Sequence, residues 1–152
     1  MPAKESLINI KIMITKVYDR EYVTLDYDPS VPCVIATSFK FMTLDEFKLQ
    51  LNFGLNFMKQ RIRETGRMLW LPDITLASTC DREGVKWVRE DWTPRAFEAG
   101  IRHMALVASE SEWAKMGLNH DTDDAEEKGM GMTTAFFKDV ESAKKWFSNM
   151  KS

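Results

Sequence analysis

The side chains best suited to chemistry gather in one short stretch that joins a buried strand to a helix. Asp73 ends the run MLWLPD, and Ser78, Thr79, Cys80 and Asp81 occupy the loop that leads into REGVKWVREDW. Unpaired N–H groups at the start of a helix attract anions and lower the pKa of a thiol. Such a loop can therefore bind an oxyanion, accept a phosphoryl group or activate a cysteine. The sequence predicts a binding or regulatory site at this junction.

Each of these side chains also has an ordinary structural role. Ser78 and Thr79 are common helix caps, and capping alone is favoured over capping combined with phosphorylation. Cys80 has no histidine near it in the sequence, so an inert thiol is favoured over a reactive one. No nucleophile–base set and no common phosphate-binding or nucleotide-binding motif occurs. We therefore expect a protein that is not an enzyme.

Two tryptophans and an arginine lie on the helix beyond the loop. Trp87 and Trp92 are five positions apart, which separates their side chains by about 140° around an α-helix. We therefore expect one indole in the core and the other in a ligand pocket or a subunit interface, where tryptophan is enriched. Arg95 is expected to pair with Asp91 or Glu98 rather than to anchor an anion.

Neither a metal ion nor a cofactor is expected. The acidic run at residues 121–127 has Glu126 where an EF-hand loop needs glycine and Met132 where it needs glutamate. We interpret this run as a solvated loop or the start of a helix. His103 and His120 have no second histidine or cysteine at the spacing of metal ligands.

Composition predicts one globular domain that spans residues 1–152. The balance of 21 basic against 23 acidic side chains argues against a nucleic-acid binder. No apolar run is long enough to cross a membrane, and the amino-terminal residues lack a signal-peptide pattern. We therefore expect a cytoplasmic protein in which Cys33 and Cys80 are reduced and do not form a disulfide.

Hydrophobic periodicity predicts the strands that position the loop. The predicted strands cover residues 8–14, 22–27, 31–37, 68–71, 101–108 and 132–137. The first three are separated by short turns, one of them at residues 18–21, and should form an antiparallel meander. The later strands alternate with helices.

The predicted helices cover residues 43–66, 81–100, 109–117 and 139–150. The first opens with a capping box at Thr43 and ends at Gly66. Its apolar face is widened by Phe53 and Phe57, which predicts burial along much of its length. In the second helix, Thr93 is expected to cap a continuation of the helix.

Two further features of these helices are predicted from their side chains. Val85, Val88 and Trp92 should share the buried side of the second helix. Four cations lie towards the carboxyl end of the first helix: Lys59, Arg61, Arg63 and Arg67. We interpret them as offsetting the helix dipole rather than binding phosphate.

The predicted fold class is α/β, with a mixed sheet whose amino-terminal antiparallel meander is followed by alternating α and β elements. This order, together with WLPD, KWVREDWTPRAFEAGIRHMALV and the final DVESAKKWF, resembles the SpoIIAA-like proteins, a branch of the STAS (sulfate transporter and anti-sigma-factor antagonist) superfamily. The resemblance covers the chain from about Tyr22. The residues that carry it are Trp70, Asp73, Trp87, Trp92, Pro94, Arg95 and Gly100.

The resemblance implies a bacterial regulatory protein. In phospho-regulated members of the family, a kinase modifies a Ser or Thr in the loop before the corresponding helix and so controls partner binding. Here Ser78-Thr79-Cys80-Asp81 takes that place, without the usual Asp-Ser motif. The family also resembles CRAL-TRIO lipid-binding folds, which implies an apolar ligand as the alternative.

Two classes of function follow. The first is a non-enzymatic regulatory or protein-interaction module that binds a partner through the helix after residues 78–81. The second is a carrier or sensor for a small apolar or lipid-like ligand, held in a pocket lined by methionine and aromatic side chains. In either case the outward tryptophan and the small net charge predict a homodimer through the helix at residues 81–100.

Overall fold

In the described part of the chain, a seven-stranded mixed sheet forms the centre of the protein. The computed structural model describes residues 14–77, 82–115, 126–129 and 132–150. The strands are β1 (Thr15–Asp19), β2 (Val23–Asp28), β3 (Cys33–Ser38), β4 (Leu69–Asp73), β5 (His103–Val107), β6 (Glu126–Gly129) and β7 (Met132–Phe137). Their spatial order is β1-β2-β3-β4-β5-β7-β6. β1 to β3 are antiparallel, β3, β4, β5 and β7 are parallel, and β6 is antiparallel to β7. The predicted fold class is confirmed.

The helices begin and end largely where local signals predict. They are α1 (Leu44–Thr65), α2 (Arg82–Trp87), a π-helical turn (Val88–Trp92), α3 (Thr93–Glu98), α4 (Glu110–Lys115) and α5 (Val140–Asn149). Thr43 and Glu46 form the predicted capping box of α1, and Gly66 ends that helix with φ 78°. Asp139 caps α5 by accepting a hydrogen bond from the Ser142 N–H at 2.7 Å.

Helices cover both faces of the sheet. On one face, α1 and the segment from α2 to α3 bury Leu51, Met58 and Trp92 against β2, β3 and β4. On the other face, Ala143 and Phe147 of α5 pack against β3, β4, β5 and β7. Alternate residues of each central strand therefore enter two different apolar clusters, as expected of strands covered on both sides.

The first and last parts of the sheet differ from the sequence prediction. The predicted strand at residues 8–14 lies outside the described residues, apart from Ile14, which is not in a strand. The turn predicted at residues 18–21 begins later in the structure. Tyr18 is still in β1, where it pairs with Leu25 of β2, and its ring packs on that of Phe53 with centroids 4.8 Å apart. β6 was not predicted, since its charged sequence resembles a loop. Such charges are usual on an edge strand.

The helix at residues 81–100 contains no cap at Thr93. Thr93 is helical, with φ −61° and ψ −44°, and its N–H bonds to the Val88 carbonyl five residues earlier. This wider π turn ends just before Pro94, whose ring would collide with the carbonyl four residues earlier in a regular α-helix. The extra residue rotates α2 relative to Trp92. Val85 is consequently 45% exposed rather than buried.

The first helix is less buried than predicted. Leu49 is 59% exposed and Phe53 is 38% exposed, while Phe57 is half-buried. Phe53 lies towards the edge strand β1, where its ring packs on Tyr18. Phe57 packs on Tyr27 of β2, with ring centroids 5.0 Å apart. None of the helices in the described part of the chain combines the length and apolar character needed to cross a membrane.

Candidate functional site

The predicted site lies at the carboxyl end of β4, where Asp73 organises its own loop. The Asp73 Oδ1 accepts hydrogen bonds from the Thr75 N–H at 3.0 Å and the Thr75 hydroxyl at 2.7 Å. This is an Asx turn, so the carboxylate shapes the loop. Ser78, Thr79, Cys80 and Asp81 lie outside the described residues, and their roles stay predictions.

Large apolar side chains are exposed on both sides of this loop. Leu76 precedes residues 78–81 and is 65% exposed, and Val85 follows them and is 45% exposed. We call these two residues the loop-flanking pair. Val85 is exposed because of the π turn, which its sequence spacing did not reveal.

Both tryptophans pack on the same core, although the sequence predicted that only one of them would. Trp92 is fully buried, donates from Nε1 to the Leu51 carbonyl at 2.8 Å, and packs on Trp70 with ring centroids 5.5 Å apart. Trp87 is half-buried against the same core, with Lys48 Nζ 5.5 Å and Arg95 Cζ 5.8 Å from its ring centroid. The core indole is therefore confirmed as Trp92. The place of Trp87 in a pocket or interface stays a prediction.

Arg95 links two helical segments at the surface. It pairs with Asp91 at 2.8 Å, as predicted, and donates to the Asn52 side-chain oxygen at 2.9 Å. Both members of the ion pair are exposed, so the pair contributes little stability. Arg95 therefore connects α3 to α1 at the surface, near Trp87.

An ion pair between Lys144 and Asp28 lies beneath α5, on the face of the sheet opposite to α1. Lys144 of α5 donates to Asp28 at the end of β2, at 2.9 Å, and Ser30 donates to the same carboxyl from its N–H and its hydroxyl. Burial alone raises the pKa of Asp28, but the hydrogen bonds and the Lys144 charge outweigh it and hold the pKa below its usual value. Burial lowers the pKa of Lys144, and Asp28 more than reverses this effect.

Cys33 lies beside this ion pair and is a free, fully buried thiol. Burial raises its pKa to about 12, so the thiolate is strongly disfavoured near neutral pH. This is the inert kind of cysteine. Cys33 is therefore not a candidate for the reactive role that a thiol at a helix start can have.

A second candidate site was missed from the sequence. A pocket of about 230 Å³ lies at the amino ends of β4 and β5, opposite the predicted loop. We call it the basic pocket, and its lining residues are Gly66, Arg67, Met68, Gly100, Arg102, His103 and Met150. They come from three distant parts of the chain, so no single motif indicates them. The one local signal is the run of cations towards the end of α1, which the sequence alone indicates as offsetting the helix dipole.

Comparison with other proteins completes the description of both sites. No family model, no curated protein and no solved structure matches this chain. In the described part of the chain, no three His, Cys, Asp or Glu side chains gather in an arrangement that could hold a metal ion.

Proposed function

We propose that this protein is a non-enzymatic, STAS-like regulatory module that binds another protein through the loop-flanking pair and the helix that follows. The observation that carries the proposal is the exposure of Leu76 and Val85 on the two sides of the loop after β4. Loops at the carboxyl ends of parallel strands are common binding positions. The free, buried thiol of Cys33 supports a reducing compartment such as the cytoplasm.

The chemistry of the surface suits a protein partner. Covering Leu76 and Val85 removes apolar area from water, which stabilises a complex by on the order of 1–2 kcal/mol for each side chain. The polar side chains between them, at residues 78–81, offer hydrogen bonds that set the orientation of the partner.

Phosphorylation of Ser78 or Thr79 is the proposed control of binding. A phosphate at either position carries close to two negative charges and is close in the sequence to Leu76, Asp73 and Asp81, so it would weaken an apolar contact. Intact-mass analysis of the protein purified from its own cells should reveal a form heavier by one phosphate. Unmodified protein under every growth condition would contradict this control.

Photo-crosslinking tests the interaction itself. A photoreactive phenylalanine analogue at position 85 should trap an adduct with a protein other than a second copy of this chain in living cells, and Leu76→Ser should reduce its yield. The same analogue at Gln60, an exposed position of α1, is the matched control. Equal yields at positions 85 and 60 would argue against the proposal.

The alternative proposal is a carrier or sensor for a small ligand. It is supported by Met68 and Met150, which line the basic pocket. Its volume of about 230 Å³ is below the usual range for drug-sized ligands, so a long lipid chain is disfavoured. Mass spectrometry of the native protein, purified without denaturation, should then show a bound small molecule.

A further inference from the structure

The basic pocket combines two arginines with an apolar wall. We propose that it binds a small organic anion through a carboxylate or phosphate group that contacts Arg67 and Arg102. This site is at the opposite end of β4 from the loop-flanking pair, so the inference is independent of the proposed interaction with a protein partner.

In the part of the chain that the structure describes, the positive charge of the pocket has no acidic partner. Among the described residues, no carboxylate forms an ion pair with Arg67 or Arg102, and no acidic side chain lines the pocket. Arg67 donates to the Phe147 carbonyl, and Arg102 donates to the Phe97 and Ile101 carbonyls at 2.5 Å and 3.3 Å. These acceptors are neutral backbone groups.

A purely structural role accounts for only part of this charge. Each arginine contacts a carbonyl in the last turns of a helix, Arg67 at α5 and Arg102 at α3. The end of a helix dipole is equivalent to roughly half of one negative charge. Two full positive charges therefore leave a net positive site. Each guanidinium has five N–H donors, of which these contacts use a minority.

Both guanidinium groups are already held in place. The Arg67 guanidinium lies 3.9 Å above the Phe147 ring centroid, and the Arg102 guanidinium lies 3.8 Å above that of Phe97. Stacking of this kind limits the freedom of a long side chain, so binding loses less conformational entropy. Arginine forks also match the two oxygens of a carboxylate or phosphate.

The shape of the pocket sets the size of the ligand. Gly66 and Gly100 have φ values of 78° and 104°, and no side chain extends from either into the space. Met68 is buried and Met150 is half-buried, and together they supply an apolar surface. A volume of about 230 Å³ fits one oxyanion group with a short apolar portion.

Methyl NMR of methionine-labelled protein tests the inference. Inorganic phosphate and hexanoate serve as probes, and hexanamide is the neutral control. We expect saturable shifts of the Met68 and Met150 methyl signals, the latter assigned with Met150→Leu. Arg102→Gln should weaken binding by about tenfold or more, since a charge-assisted hydrogen bond is worth roughly 1.5–3 kcal/mol.

Matched variants separate the pocket from general charge effects. Arg20→Gln removes another arginine that lies over an aromatic ring, that of Tyr18, but is outside the pocket, and it should leave the affinity unchanged. Arg67→Lys keeps the charge and loses the fork, so it should weaken binding while the protein stays folded. A response to phosphate alone would indicate a phosphate ligand, and a response to hexanoate alone a carboxylate with an apolar portion. Either response supports the site.

Three outcomes would overturn the inference. The first is the absence of a saturable shift with either anion at about 50 mM, far above common metabolite affinities. The second is an equal response to hexanamide, which would indicate an apolar cavity without anion recognition. The third is unchanged affinity in Arg102→Gln.

Discussion

Gly54 of α1 lies directly against the Trp70 ring of β4. A Cβ at position 54 would stand 2.5 Å from Cζ3 and 2.7 Å from Cη2 of that ring. Trp70 cannot easily retreat, because it is 1% exposed and packs on Trp92. One missing side chain therefore sets how closely α1 approaches the sheet.

Replacing Gly54 with alanine should destabilise the protein despite the better helix propensity of alanine. Overpacking in a core costs about 1–3 kcal/mol, which exceeds the roughly 1 kcal/mol gained in propensity. Thermal unfolding measures the effect. Asn56→Ala, at an exposed position of α1, is the control and should raise stability slightly. A stable Gly54→Ala protein would show that α1 can shift away from Trp70.

Cys33 should be chemically silent in the folded protein. Its pKa, raised by burial to about 12, leaves almost no thiolate at neutral pH. In a Cys80→Ser variant, a thiol-specific reagent should therefore detect no thiol under native conditions and one in denaturant. The wild-type protein in denaturant without reductant should give two free thiols. A count near zero at monomer mass would reveal the disulfide that we do not expect.

At the scale of elements, α5 is attached to the sheet by contacts of two kinds. Ala143 and Phe147 supply apolar burial, and Lys144 reaches Asp28 at the end of β2. The side chains of this ion pair are 16% and 5% exposed. Removing one partner of such a pair leaves a buried charge, which costs more than the intact pair contributes.

The double-mutant cycle of Asp28 and Lys144 measures this attachment. Lys144→Met should cost about 3–5 kcal/mol of unfolding free energy, and adding Asp28→Asn should recover part of the loss. Lys145→Met removes a neighbouring exposed lysine and should be nearly neutral. Denaturant unfolding gives all four values. Additive losses in the double variant would mean that the two charges are not coupled.

The contribution of Asp28 should also depend on pH. Its pKa is lowered in the folded state, so the stability that it supplies is present above the unfolded pKa of about 3.9. That stability disappears as the pH falls through the lower folded value. Lys144, with a raised pKa, loses its contribution only above about pH 10.4. The stability difference between wild type and Lys144→Met should be constant near neutral pH and shrink below about pH 4.

At the scale of the whole molecule, several large apolar side chains are exposed on the surface. Besides the loop-flanking pair, Leu49 and Phe53 are exposed one turn apart on α1. The formal net charge of −2 gives copies of the chain little mutual repulsion. A two-fold dimer would bury one patch on each subunit.

Self-association should therefore involve the helix at residues 82–98. Val85→Glu places a charge in that contact and should shift the protein to monomer. Val85 is a better test than Trp87, since Trp87 also packs on the core and its loss would damage the fold. Lys86→Glu, at an exposed position of the same helix, is the control. Sedimentation at tens of micromolar measures the state, and monomeric wild type would end the dimer proposal.

The amino-acid sequence by itself determined the features that depend on neighbours within about one helical turn. The capping box at Thr43, the end of α1 at Gly66 and the cap at Asp139 all follow this rule, because the hydrogen bonds join residues three or four positions apart. The sequence also predicted the alternation of strands and helices, because apolar residues recur with a different period in each.

Only the tertiary structure decided which neighbour covers each apolar side. Periodicity identifies an apolar face of a helix. It does not reveal that Phe53 meets Tyr18 of the edge strand β1, or that a π turn rotates Val85 to the surface. The basic pocket is of the same kind, because Arg67, Arg102 and Met150 meet only when three segments of the chain converge. The resulting geometry depends on packing between distant residues, which local spacing does not encode.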